Sequence, residues 1–147
     1  MDSMKIALII FIGVAGIGTY ALRAQDASKS VWDGIYTDDQ AKKGAATYAD
    51  QCASCHGDQL TGGEMAPPLA GGEFLSNWNG LSVGDLFERI RTGMPPAQPG
   101  KLSREAKADI VAFMMSFNKF PSGSKELSSN TEMLKQFRID AQKPEKK

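Results

Sequence analysis

Apolar and polar positions divide this chain into one short greasy run, three stretches of helical period and long irregular connections. The run occupies residues 6–22, IALIIFIGVAGIGTYAL, between Lys5 and Arg23. Beyond it, Ala41, Gly44, Ala45, Tyr48 and Cys52 recur at helical spacing behind Thr37, which forms a capping-box pair with Gln40. Ser82 with Asp85 opens a second helix carrying Leu86, Phe87 and Ile90, and Gly93 closes it. Ser103 starts the third. There Ala106, Ile110, Phe113, Met114 and Phe117 share one face, and Arg104, Glu105, Lys107 and Asp109 are expected to face water. No run of alternating β-branched residues predicts a sheet, so the expected fold class is all-α.

The connections matter as much as the helices. Residues 57–81 are rich in Gly, Pro and Asn, and a loop of that length in a small domain is expected to wrap something or to carry function. Three short helices offer little apolar surface for a domain of this size, so something beyond side chains is expected to fill the core. Pro121-Ser122-Gly123-Ser124 breaks the pattern, and Leu127, Met133, Leu134, Phe137 and Ile139 then surround a short tail helix. The organisation read from this pattern is a targeting segment over 1–24, a polar lead-in over 25–36, a domain over 37–120 and a C-terminal extension over 121–147.

Lys5, the apolar run and the small residues after it match a secretory signal, for which Met4 makes a better start than Met1 followed by Asp2. Cleavage is expected after Ala24 or Ala21. The alternative is retention as a membrane anchor, for which the run sits at the lower limit of length. Both outcomes place the rest of the chain in the periplasm, free or held at the outer face of the inner membrane, and a membrane is a partner only if the segment is kept.

Composition removes several classes of function. The 147 residues hold 17 basic and 17 acidic side chains, so no basic excess points to nucleic acid. A single histidine excludes every metal site built on two imidazoles, and two cysteines are too few for a disulfide scaffold.

Those two cysteines and that histidine stand together as Cys52-Ala53-Ser54-Cys55-His56, the haem-attachment pattern C-x-x-C-H. Random placement of the three residues gives this arrangement about once in ten thousand chains. Two thiols three positions apart reach the two vinyl groups of one porphyrin, and the next residue places an imidazole beneath the iron. Other uses of the pair fit worse. A thioredoxin-like couple needs a βαβ surround, a zinc site needs more soft ligands, and a disulfide leaves His56 without a role.

With that pentapeptide, the chain resembles the class I c-type cytochromes over roughly residues 35–120. Gly44 and Tyr48 match the family's first-helix glycine and aromatic, and Phe113 matches the last-helix aromatic that packs across that glycine. The resemblance implies one haem c, joined through Cys52 and Cys55, with its iron held by His56 and by a sixth ligand from the opposite side of the ring. In the family that ligand is a methionine in the turn before the last helix, usually followed by proline, which Met94-Pro95-Pro96 matches. Met65 is a second candidate, and an empty or weakly held sixth position is the third outcome. The resemblance also implies a proline carbonyl as acceptor for the outer N–H of His56. Ala66-Pro67-Pro68-Leu69 matches, with Pro67 as acceptor and Leu69 against the ring; the alternative is a simple polyproline-like turn. It supports Trp78 as an indole donor to a haem propionate, against plain core packing.

The expected function is electron transfer by a His/Met-ligated haem outside the cytoplasm, between redox protein partners such as a dehydrogenase or oxidase. No acid–base pair or nucleophile marks an enzyme. Two alternatives stand beside it: a haem protein with a labile sixth ligand, acting as peroxidase or gas sensor, and a dedicated electron-accepting subunit of a dehydrogenase complex.

Overall fold

Thr37 starts the first long helix as expected, its hydroxyl accepting the Gln40 amide at 3.2 Å, and α1 runs Asp38–Gln51. The computed structural model describes residues 29–145; the apolar run and both expected cleavage positions lie outside them. Only half of the predicted capping box forms. The Gln40 side chain is buried and turns away from Thr37, donating to the Leu127 carbonyl at 3.0 Å and accepting from the Leu127 amide at 2.6 Å. A buried backbone pair 87 residues on outbids a local cap, because leaving two buried groups unpaired costs more than an exposed cap contributes.

α1 continues without a clean break into α2, a single turn over Ala53–His56. α3 (Gly71–Trp78), α4 (Val83–Gly93), α5 (Arg104–Phe117) and α6 (Thr131–Leu134) follow. The dominant contact is between α1 and α5. They cross so closely that a Cβ on Gly44 would stand 1.8 Å from the Asp109 carbonyl oxygen, which is why only glycine fits there. Tyr48 and Phe113 pack across this crossing with ring centroids 5.2 Å apart. α4 begins with both halves of the Ser82–Asp85 box in place. It lies on α5 and α6, close enough at Gly84 that a Cβ would meet the Lys135 amide nitrogen at 2.7 Å.

Four expectations change. α3 interrupts the 57–81 stretch; it lacks a side-chain N-cap at Ala70, so it carries no start signal, although Phe74 and Trp78 keep its period. The lead-in is not simply polar: Val31, Ile35 and Tyr36 are core residues. Fold class stays all-α, but Lys29–Ser30 (β1) and Phe137–Arg138 (β2) form a two-residue parallel pair. Lys107, expected in water, is buried. The lead-in and the extension close on each other: the Trp32 indole donates to the Asp140 carbonyl at 2.9 Å and the Gly123 amide to the Tyr36 carbonyl at 2.6 Å, while the Tyr36 hydroxyl donates to the Phe120 carbonyl at 2.6 Å. Among the described residues no helix is long and apolar enough to cross a membrane.

Candidate haem-binding site

Cys52 is the joint between α1 and α2. Its carbonyl accepts the Cys55 amide at 3.1 Å and the His56 amide at 3.0 Å, which winds the pentapeptide into one helical turn. Positions three apart on such a turn share a face, so Cys52 and Cys55 are presented together. Both thiols are free, Cys52 half-buried and Cys55 exposed. Burial, and secondarily the neighbouring Cys55, pushes the Cys52 thiol above its ordinary range.

His56 is 7% exposed, and its Nδ1 lies 2.9 Å from the Pro67 carbonyl oxygen. A carbonyl only accepts, so Nδ1 carries the proton and Nε2 keeps its lone pair for a metal. The intervening loop is folded tightly to make this contact. Gly62 donates to the His56 carbonyl at 2.9 Å, Leu69 to the Leu60 carbonyl at 2.8 Å, and Leu60 is fully buried. Tyr48 reaches in from α1, its hydroxyl donating to the Gly57 carbonyl at 2.7 Å. Burial raises that phenol to about 12, so it stays a donor throughout the working range. Asn118, just past α5, donates to the Leu69 carbonyl and accepts from the Gly71 amide, both at 3.0 Å. Sequence reasoning gave Tyr48 a packing role only, and for Asn118 no signal exists along the chain.

The methionines separate by position. Met94 caps the C-terminus of α4 in an extended conformation, half-buried, with its amide on the Ile90 carbonyl at 3.0 Å and a cis peptide bond to Pro95. Gly93 is therefore the last helical residue and not a cap beyond it. Met65 is 96% exposed, on the rim of an open surface cavity of about 550 Å³. Met114 and Met115 are locked in the core of α5, and Met133 stands exposed on α6. Trp78 ends α3, half-buried, its ring 6.3 Å from Phe74. Leu69, Leu75, Ile90 and Leu102 are likewise only partly covered.

This set fits a covalently held haem. Two free thiols share one turn with an imidazole of fixed tautomer, and half-covered apolar side chains stand ready to be covered by a porphyrin. Along the chain on either side of the pentapeptide the charge is negative: Asp50, Asp58, Glu64 and Glu73 are exposed, and no Lys or Arg occurs between Lys43 and Arg89.

A family model described as "Cytochrome C oxidase, cbb3-type, subunit III" matches residues 39–114. Thiosulfate dehydrogenase of Stutzerimonas stutzeri (strain A1501) is 35% identical over 83 residues, 50% of this chain and 26% of that protein. The chain thus spans about a quarter of the length of that curated relative. The crystal structure of the sulfane dehydrogenase SoxCD from Paracoccus pantotrophus matches in fold, with a TM-score of 0.50 and 24% identity, covering 84% of this chain and 68% of that one.

Proposed function

Because the chain belongs to the c-type cytochrome family of the cbb3-type cytochrome c oxidase subunit III, and so carries covalent haem c with its iron, we propose that it is a single-haem electron carrier working outside the cytoplasm. The haem supplies a centre that takes up and releases one electron at a time. Cys52 and Cys55 would hold it, His56 would offer Nε2 to the iron, and Met94 would supply its thioether as the second protein ligand. Pro67 orients His56, and its carbonyl makes the imidazole a stronger donor. Leu69 and Trp78, both partly covered, would pack on the ring, and the Trp78 indole would be a donor for a propionate. The observation that carries this reading is the 2.9 Å contact between His56 Nδ1 and the Pro67 oxygen, one turn from two free thiols. The half-buried Met94 beside an exposed Met65 supports the choice of sixth ligand. The apolar run over 6–22 supports export to the periplasm. The exposed acidic residues that flank Cys55 in sequence suit redox partners with a basic face, whose association slows as salt rises.

The test is protein made with a haem-attachment system and examined by mass and by absorption. We expect one haem per chain that resists acidified solvent, and a weak far-red sulfur–iron band in the ferric form. Met94→Ala is expected to abolish that band and Met65→Ala to leave it. Colourless protein, or pigment extracted by acid solvent, overturns the reading.

A second reading is a fixed electron-accepting subunit of a dehydrogenase complex, favoured by the 35% identity to a thiosulfate dehydrogenase. The hydrodynamic size of the full chain from its native source separates the two: a free monomer supports the carrier, and stable co-elution with a larger dehydrogenase supports the subunit.

A further inference from the structure

Lys107 is the one buried lysine among the described residues, 2% exposed on α5. Its ammonium donates to the Arg91 carbonyl at 3.0 Å and to the Pro99 carbonyl. These two oxygens flank the turn that carries Met94. In a continuing helix the Arg91 carbonyl would accept from residue 95, but residue 95 is proline and has no N–H. The turn holds Pro95, Pro96 and Pro99, and its backbone hydrogen bonds are all local: Met94 to Ile90, Gln98 to Pro95 and Lys101 to Gln98. Among the described residues, Lys107 is the group whose hydrogen bonds span it.

A buried ammonium is costly unless its protons are accepted, and here two carbonyls accept two of the three. One belongs to the C-terminal end of α4, where the helix dipole favours a cation. Burial, with Arg91 adding to it, moves the lysine below its ordinary range, so the site is maintained against an electrostatic cost. We propose that Lys107 is a positioning residue that clamps both ends of the Met94 turn and holds the thioether ready for the iron. The clamp rests on the assignment of Met94 in the preceding section. It acts through conformational entropy: a turn fixed at both ends has fewer arrangements to lose when sulfur binds, so the bond to iron is worth more.

The experiment titrates ferric holoprotein with imidazole, a probe of the sixth position, while following the far-red sulfur–iron band. Wild type, Lys107→Met, Lys107→Gln and Met94→Ala are compared. Lys107→Met keeps the apolar stem and removes the donors. It is expected to retain one covalent haem while imidazole displaces the sulfur at about tenfold or more lower concentration, the scale of a lost hydrogen bond to a charged group. Lys107→Gln keeps a donor and should fall between, shifted about threefold. A residue that only fills the core would lower the melting temperature and leave imidazole affinity unchanged. Agreement of Lys107→Met with wild type within about twofold therefore overturns the clamp. Should Lys107→Met fail to accumulate, Lys107→Gln decides on the same titration: a shift supports the clamp and no shift overturns it. A band that survives Met94→Ala overturns the ligand assignment, and the clamp with it. A band lost in Met94→Ala but equally resistant to imidazole in both Lys107 variants overturns the clamp alone.

Discussion

The two sides of the haem site are fastened by opposite means. On the histidine side the groups that fix the imidazole are close along the chain: the thiols and imidazole occupy one turn, and Pro67, whose carbonyl meets His56, comes 11 residues later. On the methionine side the local bonds leave the turn unspanned. Met94 sits in a proline-rich turn with few backbone hydrogen bonds of its own, and the group that spans it comes from α5. A ligand fixed by its neighbours is rigid from the moment its turn forms, whereas a ligand fixed from a distance is only as firm as the packing between elements. With the proposed ligands, the histidine side would belong to the attachment of the group, and the Met94 side would be where affinity and potential are tuned.

Both sides stand on the crossing of α1 and α5, so the largest effect breaks them together. Gly44→Ala places a methyl group 1.8 Å from the Asp109 carbonyl oxygen. We expect a loss of about 3 kcal/mol or more in chemical denaturation, with poor recovery of holoprotein. Near-normal stability would show that the crossing can open without cost. Tyr48→Phe is more selective, because it removes only the hydroxyl that donates to the Gly57 carbonyl. About 1 kcal/mol of stability should be lost, with the far-red band intact. Equal weakening of that band would mean that the two sides are coupled and the contrast between them is wrong.

The smallest effect concerns acid. Arg91, donating to Glu88 through Nε at 2.9 Å, lowers the Glu88 carboxyl to about 2, with lesser help from Thr131 and Arg104. A carboxyl depressed in the folded state stabilises it fully above its ordinary value near 4.5, and that contribution is lost as pH falls through the folded value. Melting curves of wild type should therefore fall more steeply than those of Glu88→Gln between about pH 4.5 and 2. The group is exposed, so added salt should shrink the difference. Identical slopes would remove this ion pair from the support of α4.

The pattern along the chain revealed the parts with a local cause. Helix starts at Thr37, Ser82 and Ser103 were legible because a cap bonds an amide three residues away. α3 was hidden because it begins without one, at Ala70 before two glycines. Lys107 and Gln40 were misjudged for a common reason. Each reads as an ordinary surface or cap residue, and each is buried because a backbone group from a distant segment needs a partner. The lead-in concealed Val31, Ile35 and Tyr36 as core residues because the groups that hold this segment come from far along the chain: the Phe120 carbonyl accepts from Tyr36, the Gly123 amide donates to the Tyr36 carbonyl, and the Asp140 carbonyl accepts from Trp32.

By itself the sequence determined the chemistry of the site. The spacing of Cys52, Cys55 and His56 is a covalent requirement, met within a single turn whatever the rest of the chain does. Tertiary structure brought the Pro67 carbonyl that the resemblance implied onto the imidazole, left Met94 half-buried and Met65 exposed, and put a lysine indoors. Those outcomes depend on burial and on polar groups meeting across the fold, and neither exists until the chain has closed on itself.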